Sequence, residues 1–532
     1  MHKKLPRILA TVTCTAALFV SPLARAQQTP SGDEPAVPNE EQVCPVEGPG
    51  LDRYRYMRSL SLDLRGELPA LDELRSLEDA ADVPAALIEE WLASDAFLER
   101  VVRHHRGLLW GNITNVGLTR AFAGFRTTAG LYWRTGPSAF YRGATVGCLD
   151  EPARFDENGS ILTREVDGAQ REGYVMVAPY WDPTTPLKVC AFDAQANLVS
   201  PSGAVCGTPS DTRDPGCGCG PELRWCRAGQ SERMILESMA EDVERRIATL
   251  IREGRPYTEL FTSRRAFVNG PLVHYWRYQT EIPGGVRLTP LPLDVSTLPD
   301  LAFTDRDTWV EVELDDAHAG VLTSPLFLLR FQTNRARANR FFNAFLCQPF
   351  QPPAGGIPLT GEGATEIDLQ KRAGCKYCHA LLEPAAAHWG RWTENGAGFL
   401  SPELYPPTRS DCQLCAQTGV GCSAQCRSFY VTSTLSPDGS FLGYLKPYEF
   451  LRSEHRANVE EGPRLLASTT VVDGRLPRCV ARTTATWLLG REMTAADEAW
   501  IEDLTVGFAF SGFRYDELVK SIVTSDTYRR VR

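Results

Sequence analysis

The chain has 532 residues, 43% of them apolar, which is enough to build packed cores and too many for a disordered polymer. Lys and Arg number 56 against 66 Asp and Glu, a formal net charge of −10. That balance argues against a nucleic-acid partner and would suit a basic redox partner, although solubility alone also explains it. Sixteen cysteines fit an oxidising compartment, where thiols pair, better than a reducing cytosol.

Residues 1–26 read as a signal peptide. Lys3, Lys4 and Arg7 precede the mostly apolar run Ile8–Val20, and Ala24-Arg25-Ala26 offers a small-x-small cleavage site. The run is short for a membrane span, and no later stretch reaches about 18 uninterrupted apolar residues. The mature chain is therefore expected in the periplasm or otherwise outside the cytoplasm, and not across a membrane. Residues 27–50, rich in Pro, Glu and Gln, read as a flexible linker.

Residues 51–113 carry helical patterns around Ala70–Leu77 and Val83–Phe97, continuing through Leu98–Trp110 with His104 and His105 inside. Residues 114–228 lose that periodicity. Gly, Pro, aromatics and Cys148, Cys190, Cys206, Cys217, Cys219 and Cys226 dominate, the composition of a disulfide-stapled insertion of short strands and loops. Helix resumes over 229–318. Ile235, Leu236, Met239, Val243, Ile247, Leu250 and Ile251 recur at three- and four-residue spacing. Pro256–Trp276 is also expected to be helical, and Trp309–Leu314 is β-prone. In 319–400 the spacing predicts a helix over Leu322–Leu346, with Ser324 and Pro325 as cap and first turn. Residues 401–476 form a second Cys-rich loop region, and 477–532 a final helical block with separate helices at Asp497–Val506 and Tyr515–Val523.

The segment 319–400 contains Cys375-Lys376-Tyr377-Cys378-His379, the C-x-x-C-H pattern of c-type haem attachment. Each cysteine sulfur adds to one haem vinyl group as a thioether, and the adjacent imidazole then lies beneath the iron. At this composition chance gives about 0.007 such motifs. One covalent haem c is expected, tethered by Cys375 and Cys378, with His379 as the metal ligand. The competing readings are a disulfide between the two cysteines, or a zinc site with an incidental histidine, which needs two further ligands. Leu381, Leu382, Trp389, Trp392 and Phe399 are candidates for a dry pocket wall, and Arg372 or Arg391 for contact with a haem propionate.

The second axial position has no clear claimant. Met493 is the only methionine downstream, and Met57, Met176, Met234, Met239, His104, His105, His274, His318, His388 and His455 all have ordinary structural explanations. Cys412-x-x-Cys415 with Cys422-x3-Cys426 is read as disulfides ahead of a metal or iron–sulfur site. Setting aside Cys14 in the leader and the haem pair leaves thirteen cysteines, an odd number, so at least one thiol is unpaired or bridges molecules. No G-x-S-x-G elbow, P-loop or H-E-x-x-H helix is present.

Three stretches give the chain a resemblance to the planctomycete-type cytochrome c proteins, exported proteins built from domains of unknown function around a C-x-x-C-H motif. They are residues 54–110, with Leu62-Asp63-Leu64-Arg65-Gly66-Glu67-Leu68-Pro69; residues 320–396, with Leu346-Cys347-Gln348-Pro349 and Leu382-Glu383-Pro384 around the haem motif; and residues 479–530, with Leu489-Gly490-Arg491-Glu492 and Ser525-Asp526. Together they cover roughly half of the mature chain. The resemblance implies a cytochrome-associated helical domain at 51–113, a haem-bearing domain at 319–400 and a helical C-terminal domain. After Pro384 the chain departs from the family pattern, with Ala385-Ala386-Ala387-His388-Trp389 in place of a Gly-Phe and an acidic-aromatic pair.

The expected fold is mainly α, with multi-helix domains around one c-type haem and an irregular Cys-rich α/β insertion. The expected function is a redox or electron-transfer component working with a redox partner protein. The alternatives are a haem-dependent oxidase, oxygenase or peroxidase, and a sensor or binding module with a structural haem.

Overall fold

The computed structural model describes residues 50–530 except 112–115, 119–123, 135–141, 143–145, 208–213, 280–292, 352–362, 364 and 434–438. The expected leader and most of the linker, with Cys14 and Cys44, lie outside the described residues. About 47% of the described residues are helical, in seventeen α-helices and several short 3-10 turns. None of the described helices is long and apolar enough to cross a membrane.

Local chemistry sets the helix boundaries. The expected continuous helix from Val83 to Trp110 is two, Ala85–Leu92 and Asp95–Leu109. Ser94 breaks the run because its Oγ accepts from the Phe97 amide at 3.2 Å, a cap that a continuing helix would forgo. Leu322–Leu346 divides in the same way. Ser324 caps Pro325–Arg330 and Thr333 caps Asn334–Phe345. Pro256–Trp276 is the larger departure. It holds a helical turn at Glu259–Thr262, a strand at Arg265–Val268 and a helix at Gly270–Tyr278. The strand forms because Ala266 and Val268 bury on one face while its backbone pairs antiparallel with Val310–Glu313, inside the stretch read as β-prone.

The insertion carries strands β1 (Phe125–Thr128), β2 (Leu131–Arg134), β3 (Arg164–Val166), β4 (Ala169–Arg171), β5 (Tyr174–Val177) and β6 (Leu187–Cys190). Four make a sheet in the order β1-β2-β6-β5, in which only β2 and β6 run parallel. Disulfides Cys148–Cys190, Cys206–Cys217 and Cys219–Cys226 staple it. Arg142, fully buried, bridges Glu172 and Asp193 at 2.6 Å each. Such charges are tolerable inside only when paired.

Both ends of the described chain share one core. Tyr56 donates to the Val523 carbonyl at 2.9 Å, Tyr528 to Asp63 at 2.6 Å, and the Leu51 amide to the Arg529 carbonyl at 2.6 Å. Gly229–Arg252 packs on Asp95–Leu109, and its Ile235, Met239, Val243 and Ile247 are buried. The remaining bridges are Cys347–Cys479, Cys412–Cys426 and Cys415–Cys422. The first joins the end of the Asn334–Phe345 helix to Arg475–Leu489. The other two clasp Ser410–Thr418 to Ala424–Phe429.

Candidate functional site

Lys376 to Ala386 forms a helix whose N-cap is Cys375. The turn closes at once, with the Cys378 and His379 amides donating to the Cys375 carbonyl at 3.1 and 3.0 Å. Gly374 enters it at φ +81°, a conformation few side chains allow. Helical geometry puts residues three or four apart on one face. Cys375, His379, Glu383, Ala386, Ala387 and Gly390 therefore form one stripe, with Cys378 at its edge.

The lower part of that stripe borders a cavity of about 750 Å³, lined by Glu383, Ala386, Ala387 and Gly390 together with Arg335, Arg372, Trp392, Thr393 and the Pro447–Leu451 loop. The volume lies within the range of cofactor and ligand pockets. Small side chains leave the space open on the helix side. At Gly390 a Cβ would lie 2.7 Å from the Pro447 Cβ and 2.9 Å from the Ala387 carbonyl, so only glycine fits. Partial burial raises the Glu449 carboxyl on the far wall above its ordinary range.

Twelve of the fourteen described cysteines are in disulfides, and the two that are not are Cys375 and Cys378. Both are partly exposed. The thirteen cysteines outside the leader and the motif thus resolve into six bridges plus Cys44, which is not described. The Cys412, Cys415, Cys422 and Cys426 group is paired as two disulfides. The His379 Nδ1 lies 2.5 Å from the Glu383 Oε1, which also accepts from the Arg335 Nε at 2.7 Å.

Several expected wall residues lie elsewhere. Trp389 is fully buried in the main core and donates to the Leu322 carbonyl at 2.9 Å. Leu381 is 49% exposed. Leu382 packs on the core and Phe399 on Trp392, whose ring centre is 5.1 Å away. Only Trp392 of that set lines the cavity. Of the two proposed propionate partners, Arg372 lines it. Arg391 is buried in a two-pronged pair with Glu460 at 2.8 and 2.9 Å.

Several of the candidate axial ligands are engaged elsewhere. His388 bonds the Gly462 carbonyl at 2.8 Å and is pushed down to about 4 by burial. His105 bonds Tyr257, His104 stacks on Trp487, and His274 bonds the Arg224 carbonyl. Met57 and Met239 are core residues, and Met176 is 57% exposed on β5. Met493 lies in a loop, packed against the core. Among the described residues lining the cavity there is no histidine or methionine.

Sequence reasoning did not single out Arg337, which frames the site. Its buried guanidinium donates to the carbonyls of Phe331, Thr393 and Gly396 at 2.8 Å and of Leu328 at 3.1 Å, and to the Asn334 side chain at 2.8 Å. It ties the 393–396 wall of the cavity to the helix beside the motif. An arginine within an otherwise amphipathic helix gives no sequence signal that separates this role from a solvated charge.

Residues 470–528 match a family model described as a protein of unknown function (DUF1585), a domain family associated with cytochrome-type proteins. The match covers the helices Arg475–Leu489, Glu498–Phe510 and Tyr515–Val523, in the segment where the resemblance placed the C-terminal domain. No curated protein and no solved structure matches the chain.

Proposed function

We propose that this chain is an exported c-type haem protein with a redox role, its single haem tethered by Cys375 and Cys378 and ligated by His379. The observation that carries the reading is the segregation of the thiols. Every other described cysteine is in a disulfide, while the pair at C-x-x-C-H spacing stays unpaired at the start of the helix whose later residues, from Glu383 on, line the cavity; the described lining includes neither cysteine nor His379. A disulfide-rich chain and a cytochrome-associated C-terminal segment support the same reading.

The donor set suits the group: two thiols for thioether bonds, an imidazole one residue on, and a neighbouring cavity lined by Arg335, already paired with Glu383, and by Arg372, which bonds the Glu366 carbonyl through Nε and keeps its other donors for a carboxylate. Haem c supplies one-electron exchange at iron. The protein's part is to anchor the ring, orient His379 and limit water around it.

Production with a c-type maturation system, followed by haem staining of a denaturing gel, tests the reading. A band that keeps its haem is expected, and Cys378→Ala weakens it. Loss of haem on denaturation of the wild-type protein refutes covalent attachment. A second reading, an enzyme or sensor with an open iron position, is favoured by the described histidines His105, His274 and His388, each of which is held by another hydrogen bond.

A further inference from the structure

We propose that Glu383 is a positioning residue for His379, holding the imidazole with Nδ1 as donor and Nε2 as the ligating atom, and that Arg335 sets how strongly the carboxylate pulls. This rests on the haem c reading above.

Three features lead to it. Glu383 lies one helical turn beyond His379, so their side chains share a face. The Nδ1 to Oε1 distance is 2.5 Å. An ionised carboxylate only accepts hydrogen bonds, so the proton between them belongs to Nδ1 and the lone pair is left on Nε2, the atom a ligand to iron needs. Both side chains are only about one-fifth exposed, at 23% and 20%, so water competes weakly for the contact. The backbone at this point is also fixed. Pro384 is buried, and its carbonyl accepts from the Asn458 side chain at 2.9 Å.

The same Oε1 accepts from Arg335 on the neighbouring helix at 2.7 Å. One oxygen is thus divided between a cation and the imidazole N–H, and each bond weakens the other. A carboxylate behind a ligating histidine raises the ligand's donor strength, which favours ferric iron and lowers the reduction potential. Arg335, by drawing on Oε1, moderates that effect.

The test uses the haem-loaded protein as wild type, Glu383→Gln, Arg335→Gln and the double variant, each checked by haem staining after denaturation and then titrated potentiometrically. Haem stays covalent in all four. Glu383→Gln moves the ferrous-to-ferric ratio at fixed poise about tenfold toward ferrous, about 59 mV for one electron. Arg335→Gln moves it toward ferric, and this effect vanishes in the Glu383→Gln background because Arg335 acts through the carboxylate. Charges acting on iron independently through space give additive shifts. An unchanged or lower potential in Glu383→Gln with haem retained overturns the proposal, as do additive shifts in the double variant. If Glu383→Gln does not mature, Glu383→Ala takes its place in the cycle: an Arg335→Gln shift that vanishes in that background supports the proposal, and an additive one overturns it. A wild-type protein without covalent haem overturns the haem reading itself.

Discussion

Replacing Arg337 by methionine removes the donors that hold the cavity wall while keeping most of the apolar stem. Four backbone carbonyls, those of Leu328, Phe331, Thr393 and Gly396, lose their guanidinium partner. An acceptor left unsatisfied inside a protein costs about 1–3 kcal/mol. Thr393 borders the cavity, where water can replace the lost donor, and taking the low end, about 1 kcal/mol, for each of the four carbonyls gives a lower bound. The sum is about 4 kcal/mol. With an unfolding entropy of about 2.1 cal/mol/K per residue, a cooperative body of this size loses about 1 °C of Tm per kcal/mol, or about 4 °C here. The assay is thermal unfolding followed by circular dichroism, with Arg335→Gln as control. Arg335 is on the same helix but half-exposed, with a surface ion pair, and its loss costs about 1 kcal/mol or less. Haem incorporated per chain falls in Arg337→Met, because the 393–396 wall loosens. A Tm within about 1 °C of wild type, or an equal loss in the control, refutes the structural role assigned to Arg337.

Removing the Cys347–Cys479 bridge with paired serines releases a loop spanning 132 residues, and loop-closure entropy puts the destabilisation at about 5 kcal/mol. A melting curve unchanged by the double substitution contradicts the pairing. Acid lowers stability through buried histidines: His104 and His274 are pushed down to about 3, and His105 and His388 to about 4, each chiefly by burial. Their folded pKa values lie below the unfolded value of 6.5. Below that pH the unfolded chain binds protons that the folded one excludes, so stability is full above pH 6.5 and falls as pH drops toward 4. His105 alone contributes about 3 kcal/mol of that loss, and His105→Gln makes the decline between pH 6.5 and 4 shallower. An equally steep decline in the variant contradicts the assignment. Carbon monoxide added to the reduced haem-loaded protein is expected to shift the Soret band, since His105, His274 and His388 are each held by other hydrogen bonds. An unchanged band at saturating gas defeats the open-iron reading.

Much of this protein was legible in its sequence because the signals are local. The spacing of Ile235, Met239, Val243 and Ile247 marks a buried helix face wherever that helix packs, and the helix Gly229–Arg252 follows. Cys375, Cys378 and His379 are separated by fixed steps along the chain, so one helical turn suffices to gather them. The mainly helical character, the disulfide-bearing insertion and the C-terminal helical block rest on the same short-range chemistry.

Tertiary structure decided what depends on partners far along the chain. The strand at Arg265–Val268 looks helical until its backbone pairs with Val310–Glu313 some 45 residues on, because short apolar runs fit either state and hydrogen-bonding partners choose between them. Trp389 and Arg391 fit the expected pattern of a haem pocket, yet the turn that follows the motif helix directs them into the core and toward Glu460. The partnership of Glu383 with Arg335 joins two helices 48 residues apart. Composition and spacing settle which groups exist and which share a helix face. Only packing settles which of them meet across the interior, because every buried polar group takes the partner that the assembled core brings within reach.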